Sequence, residues 1–307
     1  MVAKQPSRIL FALLAVVVIA AAGIGAALLY EHNKSPAPVP VLTVQVGDNV
    51  TVNYIGEFGS GPQTGRVFDT SVYSVATNNA SYPKSLEYES RGARSAYSPL
   101  PVSVGPNVPS SGYTIGNLTF GSVVTGFWQG LLGLRTNVSG TIVVPPSLGY
   151  GPINASCVGS APMVYSVPVL TNVPITEFST EYPNASMTVG AEFTDPTYGW
   201  LDTVLAVNAT TVVVTASPTV GSTASPNGLP FTVANVSSTT ITLSSQLTPA
   251  SAGLVLGHVK SGGLCGKSQF IVNSVDPATG TYTENYNPEV QGETLTFIVT
   301  VVTILPP

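Results

Sequence analysis

VVTGFWQGLLGLRTNVSGTIVVPPSLGYG, residues Val123 to Gly151, is the stretch on which the reading of the whole chain turns. Phe127, Leu131 and Leu134 recur at helical spacing, so a helix beginning near Thr125 presents one apolar stripe to a sheet. The β-branched run Thr141 to Val144 reads as a strand, which Pro145 and Pro146 end because neither can donate to a ladder. The rigid turn that follows presents Tyr150.

Working outward, Val46-Gly47-Asp48-Asn49 is a turn. After it Val50, Val52 and Tyr54 alternate with Thr51 and Asn53, so Tyr54 faces the same side as the two valines. Gly59 to Gly65 is a loop, and Val67-Phe68-Asp69 resumes a strand beyond it. Far downstream, Leu295 to Val301 alternates as a last strand.

These blocks resemble the FKBP-type peptidyl-prolyl isomerases. The residues that carry the resemblance are Val123, Val124, Gly126, Phe127, Gly130 and Leu131, then Pro145, Pro146, Gly149, Tyr150 and Gly151. Upstream they are Val46-Gly47-Asp48, Val50, Val52, Tyr54, Gly56 and Gly65-x-Val67-Phe68-Asp69-x-Ser71; downstream they are Gly292, Thr294, Leu295, Phe297 and Val299. The resemblance implies a mainly β, α+β fold in which an antiparallel sheet wraps a short helix. It also implies a pocket of Tyr54, Phe68, Asp69, Val123, Val124, Phe127, Tyr150 and Phe297. Phe127 is the expected floor under a proline ring, and the Val124 N–H and the Tyr150 hydroxyl are the expected donors to substrate carbonyls. Tyr54, Phe68 and Phe297 are the expected walls, with Asp69 ordering them through hydrogen bonds. Without the resemblance, Val123, Phe127, Leu131 and Phe297 read as ordinary core residues. Asp69 is the more telling one, because a carboxylate among apolar neighbours is costly unless hydrogen-bonded.

Two departures stand out. Many members carry Trp where this chain has Phe127, with Trp128 beside it. Tyr113 to Gly116 reads as the short strand before the helix, which aligns an aromatic wall of the family with Ser111 and leaves that wall missing. Val72 to Ser110, rich in Tyr, Ser, Asn and Pro, lacks periodicity and reads as a long surface excursion.

Between Gly151 and the last strand the chain holds far more than a short flap. Val204 to Val207, Thr211 to Thr215, Phe231 to Val233, Thr239 to Leu243 and Phe270 to Val275 read as strands, separated by turn signals such as Ser225-Pro-Asn-Gly228 and Asp276-Pro-Ala-Thr-Gly280. A small all-β domain over 167–292 is expected, inserted in a domain made of 43–166 and 293–307. It resembles the insert-in-flap domain of SlyD-type and long archaeal members, which holds unfolded chains.

Charged residues are only 8% of the 307 and hydrophobic residues 44%, with a net charge of −5. Nucleic acid needs a basic footprint and is excluded as a partner. Ile9 to Tyr30 is uncharged over about 33 Å of helix, matching a hydrocarbon core of roughly 30 Å. A single-pass membrane anchor is expected over 9–30, with 1–8 cytoplasmic because Lys4 and Arg8 precede it, and the remainder extracytoplasmic. The Pro-rich segment 31–42 is a semi-rigid spacer. Asn-Xaa-Ser/Thr triplets begin at Asn49, Asn79, Asn117, Asn137, Asn154, Asn184, Asn208 and Asn235, as a chain rich in Asn, Ser and Thr produces by chance. Cys157 and Cys265 are the only cysteines. They would pair in an oxidising compartment if the fold brings them together, which spacing alone leaves open. Isolated His32 and His258 supply no metal spacing, and no cofactor is expected.

The expected function is therefore an isomerase acting on proline-containing unfolded or nascent polypeptides at a membrane, with a client-holding insert. The alternatives are a non-catalytic chaperone on the same fold, or a surface structural or adhesion β protein.

Overall fold

Strand β1 (Asn49–Phe58) organises the first sheet because it pairs along both edges. Residues 42–260 and 262–307 are described by this computed structural model. The expected anchor over 9–30 lies outside them; among the described residues no helix is long and apolar enough to cross a membrane. One edge of β1 takes β2 (Val67–Thr70) along Ile55–Glu57 and, further back, β3 (Leu100–Ser103) along Asn49–Val52. A one-turn helix, α1 (Tyr73–Ala76), separates these two strands. Next come the hairpin of β4 (Tyr113–Ile115) and β5 (Leu118–Phe120), helix α2 (Thr125–Leu131) and β6 (Ser139–Val144).

Helix α2 lies against β6 at close range, and its glycines permit this. A Cβ on Gly126 would sit 2.7 Å from Val144 Cγ1, and one on Gly130 would fall inside the side chain of Ile142. With both positions bare, Phe127 and Leu131 reach a core of Val50, Val52, Val299 and Val301, all of them fully buried.

The chain then runs through three short strands, β7 (Val158–Pro162), β8 (Val164–Pro168) and β9 (Leu170–Pro174), and a helix, α3 (Ile175–Glu181). Three further segments follow. The first holds β10 (Glu192–Thr194), β11 (Leu201–Val207) and β12 (Thr211–Ala216). The second holds β13 (Thr223–Ala224), β14 (Phe231–Val236) and β15 (Thr240–Ser245). The third holds β16 (Leu256–His258), β17 (Gln269–Asp276) and β18 (Thr281–Asn285). Each segment makes one four-stranded sheet, closed by β9, β8 and β7 in that reversed order. A bulge interrupts the long hairpin at the same place in each, between Val204 and Ala206, Val233 and Asn235, and Val272 and Ser274. The insert region is thus a threefold repeat of one sheet, with strands at every run expected there and further ones beside them. Pro162, Pro168 and Pro174 end the three closing strands, which tolerate proline because each is an outer strand of its sheet.

Last, β19 (Leu295–Leu305) returns to the first sheet between β1 and β6, giving the order β2-β1-β19-β6. All pairings among named strands are antiparallel. The architecture is mainly β, as expected.

Two readings are corrected. The excursion over 72–110 is not all loop, since it contains α1 and β3. Tyr113 to Ile115 is a strand, β4, but it pairs only with β5; the strand that joins the first sheet ahead of α2 is β3, whose Val102 is fully buried while Tyr113 and Ile115 stand exposed on their separate hairpin. Alternation of Leu100, Val102 and Val104 carried that signal, and Pro101 masked it by resembling a loop residue.

Cys157 and Cys265 are joined in a disulfide with Cα atoms 5.5 Å apart, across a separation of 108 residues. Reducing it, or replacing Cys265→Ser, is expected to cost about 2–4 kcal/mol in denaturant unfolding. Gly130→Ala is expected to cost about 1–3 kcal/mol by forcing α2 off β6, read as a lower unfolding midpoint.

Candidate active site

All eight residues expected in the pocket line one cavity of about 600 Å³, together with Arg91, Leu100 and Ser122. Its floor is built of aromatic edges. The Phe127 ring meets that of Phe297 at 4.8 Å and 83°, and that of Tyr54 at 6.2 Å and 82°. Phe68 closes the far side, 5.6 Å from Phe297 at 87°. These are edge-to-face contacts, the arrangement the ring quadrupole favours. Alternation along β1 and β19 turns Tyr54 and Phe297 inward, and both are almost fully buried, as is Phe127. Phe68 finds room because its ring lies over Gly56 of β1; a Cβ there would lie 2.6 Å from Phe68 Cζ and 3.1 Å from Phe297.

The polar side of the cavity is a connected network. The Tyr54 hydroxyl donates to Asp69 Oδ2. Arg91 Nη2 donates to Asp69 Oδ1 at 2.7 Å and to the Tyr54 hydroxyl at 2.7 Å. Asp69 Oδ1 also accepts from the Thr70 N–H at 2.8 Å. Arg91 is held in turn by Tyr97, whose hydroxyl accepts its backbone N–H at 2.9 Å and whose ring lies 5.8 Å beneath its guanidinium. Burial, reinforced by the Asp69 carboxylate, pushes the Tyr54 phenol far above its ordinary range, so it stays a neutral donor at any physiological pH.

Two groups that face the cavity have no partner among the described residues. The Tyr150 hydroxyl makes no hydrogen bond, and Tyr150 is 49% exposed; burial of its inner part, followed by the charge of Asp69, raises its pKa. The Val124 N–H is free too, while the Val124 carbonyl accepts the Phe127 N–H at 3.0 Å and so starts α2. An apolar slot edged by two unpaired donors can hold a ring and receive carbonyl oxygens.

Ser111 stands outside the cavity, exposed, and Leu100 of β3 supplies the wall at which an aromatic residue was expected. Trp128 packs beside the core and does not line the cavity. The residue sequence reasoning missed is Arg91, which sits in the aperiodic excursion. One signal pointed to its neighbourhood: the chain has only ten basic residues, and two of them, Arg91 and Arg94, lie between Tyr88 and Tyr97.

No protein-family model matches the chain. The chain is similar to a protein named as a short-type peptidyl-prolyl cis-trans isomerase from Methanocaldococcus jannaschii, 31% identical over 108 residues. The match covers 35% of this chain and 51% of that protein, so it spans about half the length of the curated relative. This similarity agrees with an FKBP-type reading over part of the chain.

The pocket network separates two substitutions. Arg91→Ala breaks a pair whose side chains are 33% and 41% exposed, and is expected to cost under about 1 kcal/mol. Asp69→Ala strands the buried Tyr54 hydroxyl and is expected to cost about 1–3 kcal/mol, both read in urea unfolding.

Proposed function

We propose that this chain is an FKBP-type peptidyl-prolyl cis-trans isomerase of the long type, anchored in a membrane and acting on proline-containing unfolded or nascent polypeptides outside the cytoplasm. The observation that carries the reading is the aromatic slot of Tyr54, Phe68, Phe127 and Phe297 with the free Tyr150 hydroxyl and Val124 N–H at its edge. The apolar segment Ile9 to Tyr30 and the Cys157–Cys265 disulfide support the placement, since disulfides persist in oxidising compartments.

Isomerisation breaks no covalent bond. Its barrier of about 18–20 kcal/mol comes from amide resonance. Twisting the amide localises the nitrogen lone pair and weakens the carbonyl dipole, so a dry slot that binds the ring favours the twisted form over the planar one. Phe127 supports the pyrrolidine ring from below. The Tyr150 hydroxyl donates to the carbonyl that precedes the proline, and the Val124 N–H donates to a flanking carbonyl and fixes the peptide's register. Asp69 and Arg91 hold Tyr54 upright as a wall. Leu100 in place of an aromatic wall widens the side that receives the residue before proline.

A second reading, a non-catalytic chaperone on the same fold, draws on Leu170, Leu201 and Leu205, which are exposed on the outer side of one sheet of the insert. In the first reading the same surface holds clients while the pocket acts on them.

Exchange spectroscopy by NMR on a Leu-Pro peptide tests the catalytic claim. The wild-type chain is expected to accelerate cis/trans exchange, and Tyr150→Phe to lose about tenfold in kcat/KM, the equivalent of about 1.4 kcal/mol. Equal exchange rates with and without the folded wild type would leave the chaperone reading.

A further inference from the structure

A second cavity, of about 520 Å³, lies in the insert, with no lining residue in common with the first. Tyr182, Tyr198 and Trp200 give it an aromatic side, and Glu181, Asp195, Asp202 and Lys260 its charges. The Tyr198 and Trp200 rings are stacked 4.3 Å apart and 6° from parallel, so they act as one plate.

Three of the four charged groups already have partners. Asp195 Oδ1 accepts the Thr197 and Tyr198 N–H groups at 2.7 and 2.8 Å, and its Oδ2 accepts from the Tyr182 hydroxyl at 3.3 Å. Glu181 pairs with Lys260 at 3.2 Å on the rim, where the two side chains are 38% and 58% exposed. Asp202 is different. It is only 5% exposed, accepts no hydrogen bond from the described residues, and its Oδ1 is sealed from water. The Trp200 N–H, in a residue 8% exposed, also lacks a partner. It favours the ionised carboxylate without closing a hydrogen bond to it, while burial and the charge of Asp195 push Asp202 up to about 7.

An unpartnered buried carboxylate is costly, and native chains keep such groups where something else completes them. The completing group must be positive, because the cavity carries three acids against one lysine. It must also be organic, because aromatic faces attract ammonium and guanidinium ions, whereas no cluster of three metal-ligating side chains exists among the described residues. We propose that this cavity binds a protonated amine, whose ammonium pairs with Asp202 Oδ2, the carboxylate oxygen that is not sealed, and lies against Tyr182, Tyr198 and Trp200. The amine can be the lysine side chain of a polypeptide or a free diamine.

Calorimetric titration of the full chain near pH 8, where amines are still charged, tests this with three probes: Nα-acetyl-lysine-N-methylamide, 1,4-diaminobutane, and the uncharged Nα-acetyl-norleucine-N-methylamide. At least one amine is expected to bind saturably and the uncharged probe not to bind; whichever amine binds more tightly identifies the source. Asp202→Asn should raise Kd at least about tenfold. It should also fold with an unchanged or higher melting temperature, since it removes an unpaired buried charge. Tyr198→Leu, which removes half of the aromatic plate at a half-buried position, should weaken binding independently. Binding of the norleucine probe equal to that of the amines, unaltered affinity in Asp202→Asn, or no heat from either amine overturns the proposal.

Discussion

The pairing of β1 with β19 is the constraint from which the pocket follows. It runs from Asn49 opposite Leu305 to Phe58 opposite Leu295 and places Gly56 directly across from Phe297. Beyond a bulge between Thr51 and Val52, that register leaves space for Phe68, turns Tyr54 and Phe297 to the same side, and gives α2 a sheet to rest on. A slip of β19 by one residue would turn Phe297 to the face opposite Tyr54. Since β19 comes after the whole insert, the pairing also requires the insert to return its ends to neighbouring points.

The return is made by short polar contacts. Asn287 is buried and bridges both ends of the insert: its Oδ1 accepts the Asn154 N–H at 3.0 Å, and its Nδ2 donates to the Asn154 carbonyl at 3.1 Å. The Gly292 N–H donates to the Gly151 carbonyl at 2.8 Å, one step nearer the pocket loop. A side-chain amide suits such a junction, because it offers a donor and an acceptor in fixed relation and substitutes for one rung of a ladder. In a chain with so few charges, neutral amides and hydroxyls do much of the work that ion pairs do elsewhere.

Legibility in the sequence followed periodicity. Thr125 to Leu131, Thr141 to Val144 and Val50 to Tyr54 carry unbroken helical or alternating patterns, so those elements could be placed from residues alone, whereas their pocket residues read as core without the family resemblance. Leu100 to Ser103 alternates equally well but holds Pro101, and its outer position beside β1 is a tertiary fact that no local pattern states. Arg91 is located by its partners Asp69 and Tyr97, contacts that exist only once the excursion is folded. The repeat in the insert escaped for a similar reason: its unit is a strand pairing, and the bulges at Val204, Val233 and Val272 offset the alternation that would reveal it. Whether the cysteines meet was likewise a matter of distance, not of spacing.

The disulfide closes a covalent ring from Cys157 to Cys265 that contains most of the insert's strands. A protease that cuts once in any turn inside this ring releases nothing, because the two pieces stay joined through sulfur, and because β7 on one piece remains paired with β18 on the other. A nicked insert therefore keeps both its attachments to the pocket domain. Damage to one turn thus becomes a local defect instead of the loss of the insert.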